Sequence, residues 1–172
     1  MSSPSFSGLV APFGGGLGTD FEAPSGRGFI ALLEAFRATG GTATGEIVRG
    51  LLEAHQIGNA VGKAVSLDQL ISTGRVFGFE WRDKLWIPMF QFHTTDLSLK
   101  DSAQQVRSAL PPLWSGWGTA SWFAAPNAQL QGCRPVDMLD SDIDAVMLTA
   151  LSMSAPDSLA HARPPHQAAS LA

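Results

Sequence analysis

Hydrophobic side chains recur at helical spacing along most of this chain and change once, between Phe77 and Ile87, to the two-residue period of a strand. A first helix is predicted over 28–39, where Phe29, Leu33 and Phe36 share a face, Leu32 reinforces its edge, and Gly40 and Gly41 stop it. A second runs from Ala43 or Thr44 to His55, with Ile47, Val48, Leu51 and Leu52 as one broad apolar stripe. Glu46 complements its dipole at one end and His55 at the other. Residues 57–65 are weakly periodic. Ser66 then caps a short helix that ends at Gly74, so two short helices around a glycine-containing turn give the outline of a helix-turn-helix. Next, Phe77, Phe79 and Trp81 alternate with Gly78 and Glu80, residues 82–84 are charged, and Leu85, Trp86 and Ile87 resume, which reads as a hairpin. Pro88 makes the second strand an edge or ends it. A hairpin behind a helix-turn-helix would be a wing.

In the second half, Ser98 is a predicted cap for a helix whose face is Leu99, Ala103, Val106 and Leu110, ended by Pro111 and Pro112. Residues 117–139 read as a helix carrying Trp117, Trp122 and Phe123, a break at Pro126 and Asn127, a turn at Gly132, and a helix opened by Pro135. Ser141, Asp142 and Asp144 open a closing helix with Ile143, Val146, Met147, Ala150 and Leu151 inward. The Ser-, Pro- and Gly-rich start, with Gly14, Gly15, Gly16 and Gly18, has no Lys or Ser/Thr completing a phosphate loop and reads as a flexible arm. The expected architecture is mainly α, a helical bundle with a single β-hairpin. It divides into an arm (1–26), a helix-turn-helix-like region with the hairpin (27–95), a helical binding domain (96–153) and a mobile tail (154–172).

Composition narrows the function. Charged residues are 15% of the 172, well below the usual share of about a quarter, so part of the surface is suited to burial against a partner. The net charge of −4 argues against a chain built wholly around nucleic acid. Arg75, Arg82 and Lys84 are placed to touch phosphates, yet between Gly58 and Leu85 they and Lys63 exceed Asp68, Glu80 and Asp83 by only one. One cysteine, Cys133, precludes an internal disulfide and fits a reducing compartment. With no apolar run of about 18 residues and no basic start followed by an apolar stretch, the cytoplasm is the expected address, and no membrane partner is expected. His55, His93, His161 and His166 are candidate bases, but no nucleophile, metal or paired-cysteine motif accompanies them. Neither catalytic residues, a metal nor a cofactor is expected, and Cys133 is expected to fill a small space in its turn.

Residues 122–139 carry a recognisable pattern: Trp122 and Phe123, then Pro126, Asn127, Leu130, Gly132, Pro135, Asp137 and Leu139, with Met138 where leucine is usual. This resembles the toxin-binding domain of Xre/MbcA/ParS-type antitoxins. Residues 75–92 are also similar to a segment preceding that domain, so the resemblance covers roughly residues 66–152. It implies a non-enzymatic antitoxin whose partner is a RES-domain toxin that consumes NAD⁺ or uses it for ADP-ribosylation. It further implies occlusion of the toxin's active site, often by the antitoxin's C-terminal region, and a homodimer that assembles with the toxin. Operon autoregulation on operator DNA is a further implication, though the usual Xre helix-turn-helix signature is missing here. Leu130, Gly132, Pro135 and Leu139 read as fold-making; Trp117, Trp122, Phe123, Asn127, Arg134 and Asp137 are the expected partner contacts, Trp and Arg being common hot-spot types. The alternatives are a winged-helix regulator with a C-terminal interaction domain, or an immunity or inhibitor protein for another target.

Overall fold

The computed structural model describes residues 24–58 and 66–154. Most of the expected N-terminal arm (1–26), nearly all of the C-terminal tail and residues 59–65 therefore lie outside the described residues, and the arm's last residue, Gly26, already belongs to the first helix. The first helix, α1 (Gly26–Phe36), starts two residues before its predicted position because Ser25 caps it, accepting from the Gly28 N–H at 3.0 Å. A 3-10 turn over Arg37–Thr39 follows, and Gly40 leaves it at φ 104°. Leu32, Ala35 and Phe36 are buried, while Phe29 and Leu33 are half-buried, so the inward face is rotated slightly from the predicted one.

The predicted single hairpin is part of a three-stranded antiparallel sheet. Strand β1 (Thr42–Thr44) occupies what the periodicity assigned to the start of a helix; α2 (Gly45–Gly58) begins immediately after it. After α3 (Leu67–Ser72), capped by Ser66 as expected, come β2 (Phe79–Trp81) and β3 (Lys84–Pro88). The sheet order is β1-β3-β2, which makes β3 the central strand rather than an edge, and it ends at Pro88. Thr44 pairs with Trp86, and Trp86 in turn with Phe79. Arg82 and Asp83 link β2 to β3 at φ 49° and 60°, the two left-handed residues that a tight hairpin of matching twist requires.

The remaining helices are α4 (Asp101–Ala109), α5 (Gly116–Ala124), α6 (Pro135–Met138) and α7 (Ile143–Ser154). Two predicted caps differ. Ser98 does not cap α4; its hydroxyl and amide bond to the Asp96 carboxylate at 2.7 and 3.0 Å, while Leu99 lies in an isolated bridge with Phe92. At α7 it is Asp142 that accepts from the Ala145 N–H, and Ser141 turns back to Met138.

One hydrophobic cluster joins α1, β2, Phe90 and the helices α4 to α7, crossing the predicted boundary at residue 95. A second holds α2 and α3 against β3 through Val48, Leu52, Leu67, Leu70, Val76, Ile87 and Phe92. In α2 only half of the expected stripe is used: Val48 and Leu52 are buried, Ile47 and Leu51 exposed. Gln91 stitches the sheet's ends together from a buried position. Its amide donates to Phe77 O and Pro88 O at 2.9 and 3.0 Å, and its carbonyl accepts from Phe77 N at 2.9 Å.

Candidate partner-binding site

Ser115 starts α5 by accepting from the Gly118 N–H. The helix then lies so close to the sheet that a Cβ on Gly116 would fall 1.7 Å from the Gly78 carbonyl oxygen. That approach drives the α5 aromatics into the core. Phe123 stacks on Phe77 with ring centres 5.6 Å apart and touches Phe90 at 4.9 Å. Trp117 meets Phe79 edge-on at 5.6 Å, and Trp122 meets Phe123 at 5.0 Å.

Trp117, Trp122 and Phe123, expected as partner contacts, are thus core residues, with exposures of 6%, 1% and 0%. The physical reason is that α5 is apolar on nearly every side and is enclosed by α1, the sheet and α6. The Trp122 indole N–H is buried without an acceptor, which offsets part of what its ring contributes. Truncating any of the three large side chains to Ala would cost about 3–5 kcal/mol of stability, so such variants cannot separate binding from folding.

Beyond α5 the chain turns outward. Asn127 is half-buried; its side-chain oxygen accepts from the Gln129 N–H at 2.9 Å and opens a 3-10 turn over Ala128–Leu130. Gln131 and Gly132 reverse the chain at φ 55° and 84°, and Gly132 N bonds back to Asn127 O at 2.8 Å. Leu130 is the buried plug, Pro135 takes the first position of α6, and Leu139 is buried behind it. Arg134 grips Asp137 with two bonds, Nε at 2.6 Å and one terminal nitrogen at 2.8 Å. Its other terminal nitrogen donates to Ala35 O at 2.9 Å, tying the turn to the last turn of α1. The expected contacts Asn127, Arg134 and Asp137 therefore come together at the surface, each also employed in holding the turn.

Sequence reasoning missed the side chains this turn displays. Ala128, Gln129, Gln131 and Cys133 are exposed, so Cys133 does not fill a space as expected. The left-handed step after Leu130 is what turns this rim to solvent. An open cleft of about 380 Å³ adjoins α6, lined by Thr39, His93, Lys100, Leu139 and Asp140 among others, with Lys100 and Asp140 paired at 2.8 Å.

No family model, no characterised protein and no solved structure matches the chain. What the site offers chemically is a rigid rim of hydrogen-bonding and small apolar groups on a fixed backbone. Among the described residues no group of three or more His, Cys, Asp or Glu gathers as a metal site, and no helix is long and apolar enough to cross a membrane. The expected phosphate contacts are elsewhere. Arg75 is exposed and bonds Gln104, Arg82 lies over the Trp81 ring at 5.7 Å, and Lys84 is exposed at the hairpin.

Proposed function

We propose that this protein is an antitoxin that binds a RES-domain enzyme and blocks its active site. The reading rests on the resemblance of residues 122–139 to the toxin-binding domain of Xre/MbcA/ParS-type antitoxins. The observation that carries it is the outward turn of residues 127–137, locked by Asn127, Gly132 and the Arg134–Asp137 pair. A rim rigid before binding loses little conformational freedom on docking, which favours tight occlusion. The core aromatics then hold that rim rather than contacting the toxin. Its test is co-expression with a RES-domain enzyme: the protein restores growth and co-purifies with the enzyme. A toxin that stays fully active against a molar excess of this chain would refute the reading.

A second reading, regulation of transcription, is favoured by one observation. The order α1, β1, α2, α3, β2, β3 with sheet order β1-β3-β2 is compatible with a helix-turn-helix followed by a wing, and would put Arg82 and Lys84 on that wing. Opposing it, α3 presents Asp68, already paired with Arg49 at 3.0 Å, and no basic residue. A salt-sensitive shift of promoter DNA that is lost in an Arg82→Ala, Lys84→Ala double variant would support the regulator; no shift at low salt would dismiss it.

A further inference from the structure

Helix α7 ends at Ser154, whose hydroxyl donates to Ala109 O at 2.6 Å, so the chain leaves the described residues at the C-terminal end of α4. A groove begins beside that point. Its first part, about 390 Å³, passes Ser108, Gln105 and Gln104 on the side of α4 opposite its buried Ala103 and Val106, and has Thr73 and Gly74 from the end of α3 as the facing wall. Arg75 lines this part and also the next, a recess of about 240 Å³ lined by Leu52, Leu70, Leu97 and Leu99 and edged by Asp96. Leu52 and Leu70 are buried, whereas Leu97 and Leu99 are only half-buried. Leu97 also sits at φ 54°, a backbone region unfavourable for a bulky side chain.

The charges along the groove have an order. Near its middle Arg75 bonds the Gln104 side chain at 3.1 Å and pairs with no carboxylate among the described residues. Beyond it stand two acids, Asp101 in the first turn of α4 and Asp96 at the recess. Both are exposed, and neither pairs with a lysine or arginine among the described residues.

Residues 155–163, which lie outside the described residues, carry the same order with opposite signs: Asp157 first, Leu159 next, then His161 and Arg163. The spacing fits as well. The nine residues of α4 span roughly 13 Å at about 1.5 Å each. An extended chain advances about 3.3 Å per residue, so three residues past Ser154 bring Asp157 back by roughly 10 Å, close to the level of Gln104 and hence of Arg75. Five residues bring Leu159 back by roughly 16 Å, just past the start of α4, where Leu99 and Leu97 lie. Pro156 biases the residue before it toward the extended backbone that this path needs.

We propose that residues 155–163 fold back along α4 in the free chain, with Asp157 against Arg75, Leu159 in the leucine recess, and His161 and Arg163 toward Asp96 and Asp101. The groove is then an internal docking site for the C-terminal segment. Any partner that engages this segment must first draw it out, which lowers its apparent affinity by the fraction of chains already open. The proposal concerns the chain alone and stands or falls independently of the toxin reading.

The test is NMR of the full chain with no partner added. The expected result is methyl contacts from Leu159 to Leu97 or Leu99, with backbone order parameters near about 0.85 over residues 157–161. Leu159→Asp removes those contacts and drops the order parameters below about 0.6, while the thermal melt stays within a few degrees, because Leu159 belongs to neither core cluster. Arg75→Asp and Asp157→Arg each weaken the contacts, and combining them restores them, as for a direct charge pair. Arg75 is exposed, so its variant leaves the core intact. Order parameters below about 0.6 over 157–161 in the wild type, a tail still ordered in Leu159→Asp, or a double variant no better than the singles overturns the proposal. So does a recess whose leucines contact residues 59–65 instead, or a mixed-label sample in which Leu159 reaches the recess of a different chain.

Discussion

Replacing Gln91 by Leu keeps the side chain's approximate shape and removes all three of its hydrogen bonds. The Phe77 N–H and C=O and the Pro88 C=O would be left in a site where Gln91 itself is only 3% exposed. Each buried polar group stranded in this way costs about 1–3 kcal/mol, and neighbouring groups share part of that penalty, so the whole amounts to roughly 3–6 kcal/mol. Set against a total stability of about 5–15 kcal/mol, that is a large fraction of what holds the fold. The assay is urea denaturation followed by tryptophan fluorescence, with an expected fall of roughly 10 °C or more in a parallel thermal melt. The loss would reach the candidate site, because Phe77 stacks on Phe123 and so seats α5. Gln91→Glu sharpens the test. A carboxylate can still accept from Phe77 N but cannot donate to the two carbonyls, so the protonated acid is favoured in the fold and its folded pKa lies above the unfolded value near 4.3. Stability of that variant is therefore greatest below the unfolded pKa and falls as pH rises toward the folded one. A loss under about 1 kcal/mol for Gln91→Leu, or a Glu variant with the pH dependence of the wild type, would refute this accounting.

Other outcomes follow from the same geometry. Gly116→Ala drives a Cβ into the Gly78 carbonyl and should lower stability by at least about 2 kcal/mol. Gly118→Ala meets only ordinary contact with the Ser115 hydroxyl and should be neutral or stabilising by about 0.5–1 kcal/mol; chemical denaturation of the pair compares them directly. Arg134→Lys keeps the charge but loses the two-pronged grip on Asp137 and the bond to Ala35 O, so hydrogen exchange at the α6 amides should quicken although overall stability drops by only about 1–2 kcal/mol. The Asp96 carboxyl is held below its ordinary pKa first by the Ser98 hydroxyl, then by the Ser98 amide. What it contributes is present above the unfolded pKa and lost as pH falls through the folded one, and Ser98→Ala should move its NMR titration midpoint upward.

The sequence made some of this legible and not the rest, for physical reasons. Unambiguous stop and start signals were legible: one helix ends just before Pro111 and Pro112, and another opens at Pro135, as the pattern predicts, although the first begins later than its expected Ser98 cap. Strand β1 escaped because Thr42, Ala43 and Thr44 are too few and too alike to show alternation; only pairing with β3 makes them a strand. Ile47 and Leu51 looked inward because four apolar residues on α2 make a stripe wider than the core it faces. Trp122 illustrates the harder limit. A large aromatic suits an interface hot spot and a core equally well, and only the approach of Gly116 to Gly78 places α5 where its aromatics are enclosed. Arg134 and Ala35 are far apart in sequence, so nothing local foretold that the arginine's third bond would anchor the turn to α1.

The most direct test of the antitoxin reading uses the rim rather than the core. Ala128 is exposed and displayed by the locked turn, so Ala128→Arg adds a bulky charge there without touching a buried group. NAD⁺ consumption by a RES-domain enzyme should be titrated to zero by the wild-type chain, and Ala128→Arg, with an unchanged melt, should raise the inhibition constant at least tenfold, about 1.4 kcal/mol. Equal inhibition by the two proteins, or none by either, would contradict the account.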